Sequence, residues 1–331
     1  MALPALQAVR KRFPGAQISI LALPYVADLY RGQGVADELI AYDRKGEHSG
    51  IRGREKLTGL LRAKKFDTAL LLQNAFDAAW IAWRAGIPER IGYDRDARGR
   101  LLTKAIRTPK AGEIPAHEKF YYLELLKRVG WIDVIPQVSE ISLRVTEAQA
   151  QQAEEKLRSF GSQPSVTRLA VAAGASYGSA KCWPPERFAK ALNQLTKERQ
   201  AEVLLFGTPA EAEVSAAIQA GLDKAPIELT GKTQIADLPA LLSRCTAFLG
   251  NDSGAMHVAA AVGLPVVAVF GPTDPYGTAP VTTRCTIVQE KPYCSPCFLR
   301  RCPTDHRCMT AIAPENVSSA VLCALAEVPA G

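Results

Sequence analysis

Residues 248–260 read Phe248-Leu249-Gly250-Asn251-Asp252-Ser253-Gly254-Ala255-Met256-His257-Val258-Ala259-Ala260, and the fold is decided here. An aliphatic run ends at Gly250, a small polar turn follows, and an apolar helical pattern begins at once. A strand that turns straight into a helix is the building unit of an α/β domain. Asp252 or Ser253 is placed to cap that helix. The free amides of Ser253, Gly254 and Ala255 lie at the positive end of its dipole and suit a phosphate or diphosphate. Gly254 would let such a ligand come close to the backbone. An ordinary capped helix is the other reading of the same residues. His257 reads either as a helix residue packed in a cleft or as a general base.

Working outward, the same alternation recurs along the chain. Strands are expected at Gln17–Leu23, Glu38–Tyr42 and Thr68–Leu72 in the first half, with helices at Leu3–Arg12, Ile51–Lys64 and His117–Val129. In the second half, strands are expected at Arg168–Ala172, Glu202–Phe206, Ala247–Gly250 and Val266–Phe270. Helices at Pro185–Lys197, Pro209–Ala220, Ile235–Arg244 and Ser253–Val262 separate them. Alternation at this spacing implies parallel sheets wound by right-handed crossovers. Loop-forming residues at 159–166 mark a break, so the chain divides into domains 1–162 and 163–331, two α/β domains facing one another across a cleft. Ligands in such sheets sit beyond the carboxyl ends of the strands. A domain of this kind normally opens with a strand, whereas this chain opens with a helical pattern. The expected first strand and its loop are missing from the chain as written.

Three more strand-end loops carry polar groups. Ala173-Gly174-Ala175-Ser176-Tyr177-Gly178-Ser179-Ala180-Lys181 precedes a helix that starts at Pro185, a residue suited to the first helical turn. Ser176 and Lys181 there offer a hydroxyl and a cation to a phosphate, although no GxxxxGK[ST] motif is present; a glycine-rich loop with a surface lysine is the plainer reading. Glu211, after Leu205-Phe206-Gly207-Thr208-Pro209-Ala210, either answers a helix dipole or binds the two hydroxyls of a ribose. Gly271-Pro272-Thr273-Asp274-Pro275 reads as a rigid turn lining the same cleft.

Composition bounds the rest. The 331 residues are 47% hydrophobic and 22% charged, an ordinary globular balance long enough for two cores. No run reaches the ~18 apolar residues of a membrane span; the nearest, Met256 to Phe270, is broken by Gly263 and Pro265. The N-terminus lacks the basic, apolar, small order of a secretory signal, so a soluble cytoplasmic chain is expected. Forty basic against 33 acidic residues leave a net +7, which favours anionic partners without choosing among them. The basic residues are dispersed and no nucleic-acid-binding signature stands out, so nucleic acid is not an expected partner.

The motifs at 174–186 (Gly-Ala-Ser-Tyr-Gly-x-Ala-Lys-x-Trp-Pro-Pro-Glu), 250–257 (Gly-Asn-Asp-Ser-Gly-x-Met-His) and 270–275 (Phe-Gly-Pro-Thr-Asp-Pro) resemble those of the ADP-heptose lipopolysaccharide heptosyltransferases. Residues 85–93, Ala-Gly-Ile-Pro-Glu-Arg-Ile-Gly-Tyr, are similar to that family too. The resemblance implies a GT-B fold, two Rossmann-like domains of which the first binds the acceptor and the second the nucleotide sugar. It implies inverting transfer of L-glycero-D-manno-heptose from ADP-heptose to the lipid A–core acceptor, at the inner face of the cytoplasmic membrane. Lys181 would steady the diphosphate, with Ser176 and Tyr177 lining its loop and Glu211 on the ribose. Asp252, Ser253, Gly254 and His257 would contact the diphosphate and the heptose; Lys181 and Asp252 are the catalytic candidates. Similar proteins carry the general base as an aspartate just before a Met-x-Leu-Pro-Ala stretch. Here that stretch is Met1-Ala2-Leu3-Pro4-Ala5, so the base is expected upstream of Met1 and absent from the chain as written.

Arg90, Arg95, Arg98 and Arg100 gather around a tyrosine-containing loop and could pair with carboxylates or phosphates of the acceptor; a solvated basic loop is the other reading. Cys294-x2-Cys297-x4-Cys302-x5-Cys308, with His306 inside, could hold a structural zinc, or an iron–sulfur cluster. Reduced thiols packing a loop, or a redox pair, remain alternatives, and the resemblance implies no metal for catalysis. Two other functions fit the motifs. One is a GT-B glycosyltransferase or epimerase using a different sugar nucleotide. The other is a truncated, non-catalytic relative that binds a nucleotide sugar.

Overall fold

The computed structural model describes residues 1–163 and 166–326. The chain forms two compact units, Met1–Val138 and Ser139–Gly331. The first opens with the helix Leu3–Arg12 and carries two parallel sheets. Strands β1 (Ser19–Ala22) and β2 (Glu38–Ala41) pair in one; β3 (Thr68–Leu71), β4 (Glu89–Asp94) and β5 (Lys104–Arg107) form the other. Helix Gly50–Ala63 packs Leu57 and Leu61 against Ile40 of β2 and against Ile81 of the helix Phe76–Arg84. These apolar positions recur at helical spacing, which is why the sequence marks the element. β4 and β5 carry charged residues at their ends and do not read as strands, so the sequence did not reveal them.

The second unit is built on one six-stranded parallel sheet in the order β11-β10-β9-β6-β7-β8. Its strands are β6 (Thr167–Ala172), β7 (Ala201–Leu205), β8 (Ile227–Glu228), β9 (Ala247–Asn251), β10 (Val266–Phe270) and β11 (Cys285–Gln289). β9 and β10 are buried along their whole length, as expected of central parallel strands covered on both faces. Helix Pro185–Glu198 turns Phe188, Leu192 and Leu195 onto the sheet, and Val317 and Val321 of the helix Pro314–Ala326 join the same core. Trp183, fully buried, meets Phe188 edge-on at 4.9 Å. Burying one such aromatic contributes about 2–3 kcal/mol, so the segment after β6 is firmly anchored.

The boundary differs from the division at 162/163. Residues 139–163 belong to the second unit, because the Ile141 amide donates to Val281 O at 3.0 Å and the Leu143 amide to Ala261 O at 2.7 Å. The helix Glu147–Ser159, with a capping box of Thr146 and Gln149, is bound to β6 by a two-pronged ion pair. Arg168 Nη1 and Nη2 reach Glu154 Oε2 and Oε1 at 2.6 and 2.8 Å. Loop residues thus mark the entry to β6, not the domain edge; positions 164 and 165 of that stretch lie outside the described residues.

Candidate functional site

In the second unit the strand order reverses between β6 and β9: β7 and β8 follow on one side of β6, β10 and β11 on the other side of β9. At such a switch point the loops that follow the two strands diverge and leave a crevice at their carboxyl ends. Ala172 of β6 is level with Gly250 of β9, so loop 173–184 and turn 251–254 leave the sheet side by side. These are the two loops the sequence singles out.

Asn251 ties the loops together. Its fully buried side chain donates from Nδ2 to Ala173 O at 2.5 Å and accepts the Trp183 amide on Oδ1 at 3.1 Å. It thereby holds both ends of the β6 loop. Lys181 Nζ donates to Asp252 Oδ2, which also accepts from Thr273 Oγ1 at 2.7 Å. Lys181, Asp252 and Thr273 are all buried, so three strand-end loops converge on one carboxylate. Lys181 is therefore not a surface lysine, and its charge is balanced locally by Asp252. An ammonium has three donors, so it remains able to donate to a ligand while held in place. Asn251 and Thr273 were quoted within the motifs but given no role of their own. What would have marked them is the need of a buried lysine for a fully hydrogen-bonded partner.

Ser253 opens the helix Gly254–Ala261 without making a side-chain cap, and Asp252 does not cap it either, since its carboxylate faces Lys181. Ser253 Oγ is buried and has no hydrogen-bond partner among the described residues. A buried hydroxyl left unpaired costs roughly 1–3 kcal/mol. Here it stands at a helix N-terminus whose free amides suit an anion. At Gly254 a Cβ would meet no atom within 4 Å, so nothing in the protein's own packing requires glycine there. His257 lies half-buried one turn further along.

Glu211 fills the first of the two roles that its position suggested, at the start of a helical turn. Its Oε2 accepts from the Thr208 amide at 2.6 Å and from Thr208 Oγ1 at 2.9 Å, forming a capping box. It also lines a small pocket with Gly174, Ser215 and Thr230 over an apolar floor that includes Val171 and Phe206. Ser176 and Tyr177 stand exposed on the β6 loop.

The cysteine-rich segment is packed against that loop. Tyr177 Oη donates to Phe298 O at 2.6 Å, the Ala180 amide donates to Arg300 O at 3.1 Å, and His306 Nε2 donates to Ala180 O at 2.7 Å. A Cβ at Gly178 would come within 2.2 Å of Arg300 O, so only glycine permits this approach. Among the described residues no three His, Cys, Asp or Glu side chains form a group set to hold a metal ion. Cys294 and Cys297 are exposed and Cys308 is buried. Burial, with the neighbouring thiols Cys297, Cys294 and Cys302, pushes the Cys308 thiol up to about 11, which keeps it protonated. The Thr304 hydroxyl and amide hold the Cys302 thiol below its ordinary range. All eight cysteines are free.

In the first unit the four arginines separate. Arg98 is fully buried and donates to Tyr93 O, Gln73 O and Asn74 Oδ1. Arg90 lies on β4 and donates to Leu101 O and Ile87 O. Both brace backbone carbonyls instead of offering a free anion site, a correction to the four-arginine cluster. Arg95 and Arg100 stay exposed on the loop between β4 and β5.

Residues 54–307 match the model of glycosyltransferase family 9 (heptosyltransferase). The chain is 30% identical over 297 residues to the lipooligosaccharide heptosyltransferase 2 of Haemophilus influenzae, covering 86% of this chain and 82% of that one. It superposes with a TM-score of 0.81 on the solved ADP-heptose lipopolysaccharide heptosyltransferase II of E. coli, at 26% identity over 98% of this chain and 94% of that one. A family 9 glycosyltransferase of Veillonella parvula superposes with a TM-score of 0.84 at 25% identity, over 99% and 93% of the two chains. The α/β, GT-B reading of the motifs agrees with these structures. The chain belongs to glycosyltransferase family 9, the heptosyltransferases, and is a glycosyltransferase.

Proposed function

We propose that this enzyme transfers L-glycero-D-manno-heptose from ADP-heptose to the inner core of lipopolysaccharide, with inversion at the anomeric carbon. The observation that carries the reading is the crevice between β6 and β9. There a buried, unpartnered Ser253 hydroxyl and the amides of the helix Gly254–Ala261 stand beside the Lys181–Asp252 pair. That set of donors suits a diphosphate. The small neighbouring pocket sets the Glu211 carboxylate beside Gly174, where the hydroxyls of a ribose would donate to it. Relatives named for heptose transfer to lipopolysaccharide and lipooligosaccharide support the donor and the acceptor.

In this reading an acceptor hydroxyl attacks the anomeric carbon from the face opposite ADP. The bond from that carbon to the β-phosphate oxygen breaks through an oxocarbenium-like state, and its electron pair stays on ADP. Helix amides, Ser253 and Lys181 stabilise the charge that develops there, the type of electrostatic assistance that contributes most in such sites. A general base takes the hydroxyl proton. His257 lies on the same helix, one turn beyond Ser253. This chemistry calls on no metal cofactor. Exposed Arg95 and Arg100 would pair with anionic groups of the acceptor. No helix among the described residues is long and apolar enough to cross a membrane. With a net charge of +7, the enzyme would work peripherally on the anionic inner face of the cytoplasmic membrane.

Competition between ADP and UDP tests the donor, and transfer to a heptose-deficient core acceptor tests the reaction. ADP is expected to bind the more tightly; tighter UDP binding overturns the heptosyl reading in favour of another sugar nucleotide. A Gly254→Ala variant tests the placement. An added methyl group meets only open space in the protein, and alanine is the better helix former, so thermal stability is expected to hold or rise slightly. ADP affinity is expected to fall about tenfold, roughly 1.4 kcal/mol, because the methyl stands where the diphosphate approaches the amides. Unchanged ADP affinity would remove the diphosphate from this helix end.

A further inference from the structure

We propose that Arg300 is a further donor-binding residue, a fixed cation that completes the diphosphate cradle; the proposal rests on the nucleoside-diphosphate-sugar reading above. Three observations lead to it. The first is the attachment of its main chain: Arg300 O accepts the amide of Ala180, the residue before the phosphate-side Lys181, and lies against Gly178. Phe298, two residues earlier, has a left-handed φ of 56°, a conformation that costs on the order of 1–2 kcal/mol. It is held there by the hydrogen bond its N–H donates to Pro272 O at 2.8 Å and by the Tyr177 hydroxyl donating to its own carbonyl. The backbone that carries Arg300 is therefore set with respect to the β6 loop and does not sweep freely through solvent.

The second observation is the side chain. The Arg300 guanidinium lies over the Tyr177 ring, 5.3 Å from its centroid, and Lys181 Nζ lies over the same ring at 4.8 Å. The two cations are thus within ~10 Å of one another, about one Debye length at 0.1 M salt. The aromatic face attracts both and restricts where the guanidinium can go.

The third observation is the balance of charge. Lys181 is paired with Asp252, so the pair adds little net positive charge to the crevice. Arg300 is exposed, and among the described residues it has no carboxylate within ion-pairing distance. Arg300 therefore brings an uncompensated cation to the Tyr177 ring beside Lys181. As the glycosidic bond breaks, the β-phosphate gains negative charge, and a guanidinium offers it two parallel N–H donors. The cysteine-rich segment then acts as the arm that carries this cation to the β6 loop. That role accounts for its close packing on Tyr177 and Ala180.

Titrations of ADP and adenosine into the wild-type protein, Arg300→Ala and Arg300→Gln test the proposal. ADP affinity is expected to fall about tenfold or more in both variants, the range of a lost charge-assisted hydrogen bond, with adenosine affinity unchanged. Glutamine keeps a planar amide able to lie on Tyr177 but carries no charge, so it separates charge from packing. The proposal is overturned if ADP affinity is unchanged in either variant, or if adenosine weakens as much as ADP. The latter result would show that the segment only props the loop. A wild-type protein that binds adenosine but gains nothing from the diphosphate would overturn the nucleotide-sugar reading itself.

Discussion

Lys181→Ala is expected to lower heptose transfer by about two to three orders of magnitude, the usual loss when one preorganised donor to a developing anion is removed. Its ADP affinity is expected to drop by at least about tenfold. Asp252→Ala should lose transfer as well, since it frees the ammonium from the position fixed by Asp252 Oδ2. The two single variants carry a second effect. Lys181 and Asp252 are both buried, so removing one leaves the other's charge in a poorly solvated place, at about 3–5 kcal/mol of stability. Thr273 Oγ1 at 2.7 Å softens this for Asp252 but does not neutralise it. A double replacement, Lys181→Met with Asp252→Leu, removes both charges and is expected to recover most of that stability while transfer stays lost. Denaturant melts read beside ADP titrations distinguish the cases. Normal transfer by the double variant would show that the pair serves the fold alone, and normal transfer by either single variant would remove these residues from the site.

That experiment depends on a coupling which residue types do not display. Lys181 and Asp252 are 71 positions apart, and each motif by itself admits a bland explanation. The strand-and-turn grammar was legible because parallel strands buried on both faces, such as Val266–Phe270, are written as unbroken aliphatic runs. It failed at β4 and β5, where charged residues sit at the strand ends. It also failed at the domain edge, since Pro, Gly and Ser signal a turn but carry no information about what a preceding helix packs on. The bidentate hold of Arg168 on Glu154 decides that question, and it exists only once the sheet has formed.

The site shows the same division between local and long-range information. Gly254 and Ser253 were readable, because helix N-termini have a known chemistry that depends on neighbours in sequence. The arginine group at 90–100 was not, because proximity in sequence does not say which side chains face solvent. Arg98 is itself buried and donates to three acceptors, Tyr93 O, Gln73 O and Asn74 Oδ1, and such a guanidinium is indistinguishable by composition from a free one. The cysteine spacing likewise fits a tetrahedral site on paper. In the folded chain the segment is tied to Tyr177 and Ala180 of the β6 loop and to Gly271 and Pro272 after β10.

Asn251→Ala is expected to have the largest effect on the architecture of the site while leaving every charged group in place. The side chain is fully buried and makes two hydrogen bonds, to Ala173 O and from the Trp183 amide, which bracket the β6 loop. Truncation leaves that carbonyl and that amide without partners in a region shut off from water. At roughly 1–3 kcal/mol for each of the two unsatisfied groups, a loss of about 2–6 kcal/mol is expected, seen as a lower denaturant midpoint at unchanged slope. The loop between the two anchors would then sample positions in which Lys181 no longer meets Asp252, so ADP should bind about tenfold more weakly or worse. Asn251→Asp is expected to be at least as damaging. Its oxygens can still accept from Trp183, but they meet the Ala173 carbonyl acceptor-to-acceptor and place a second negative charge next to Asp252. A loss below about 0.5 kcal/mol in Asn251→Ala, with ADP binding intact, would mean that the loop is held by Trp183 packing and the Arg300 contact alone.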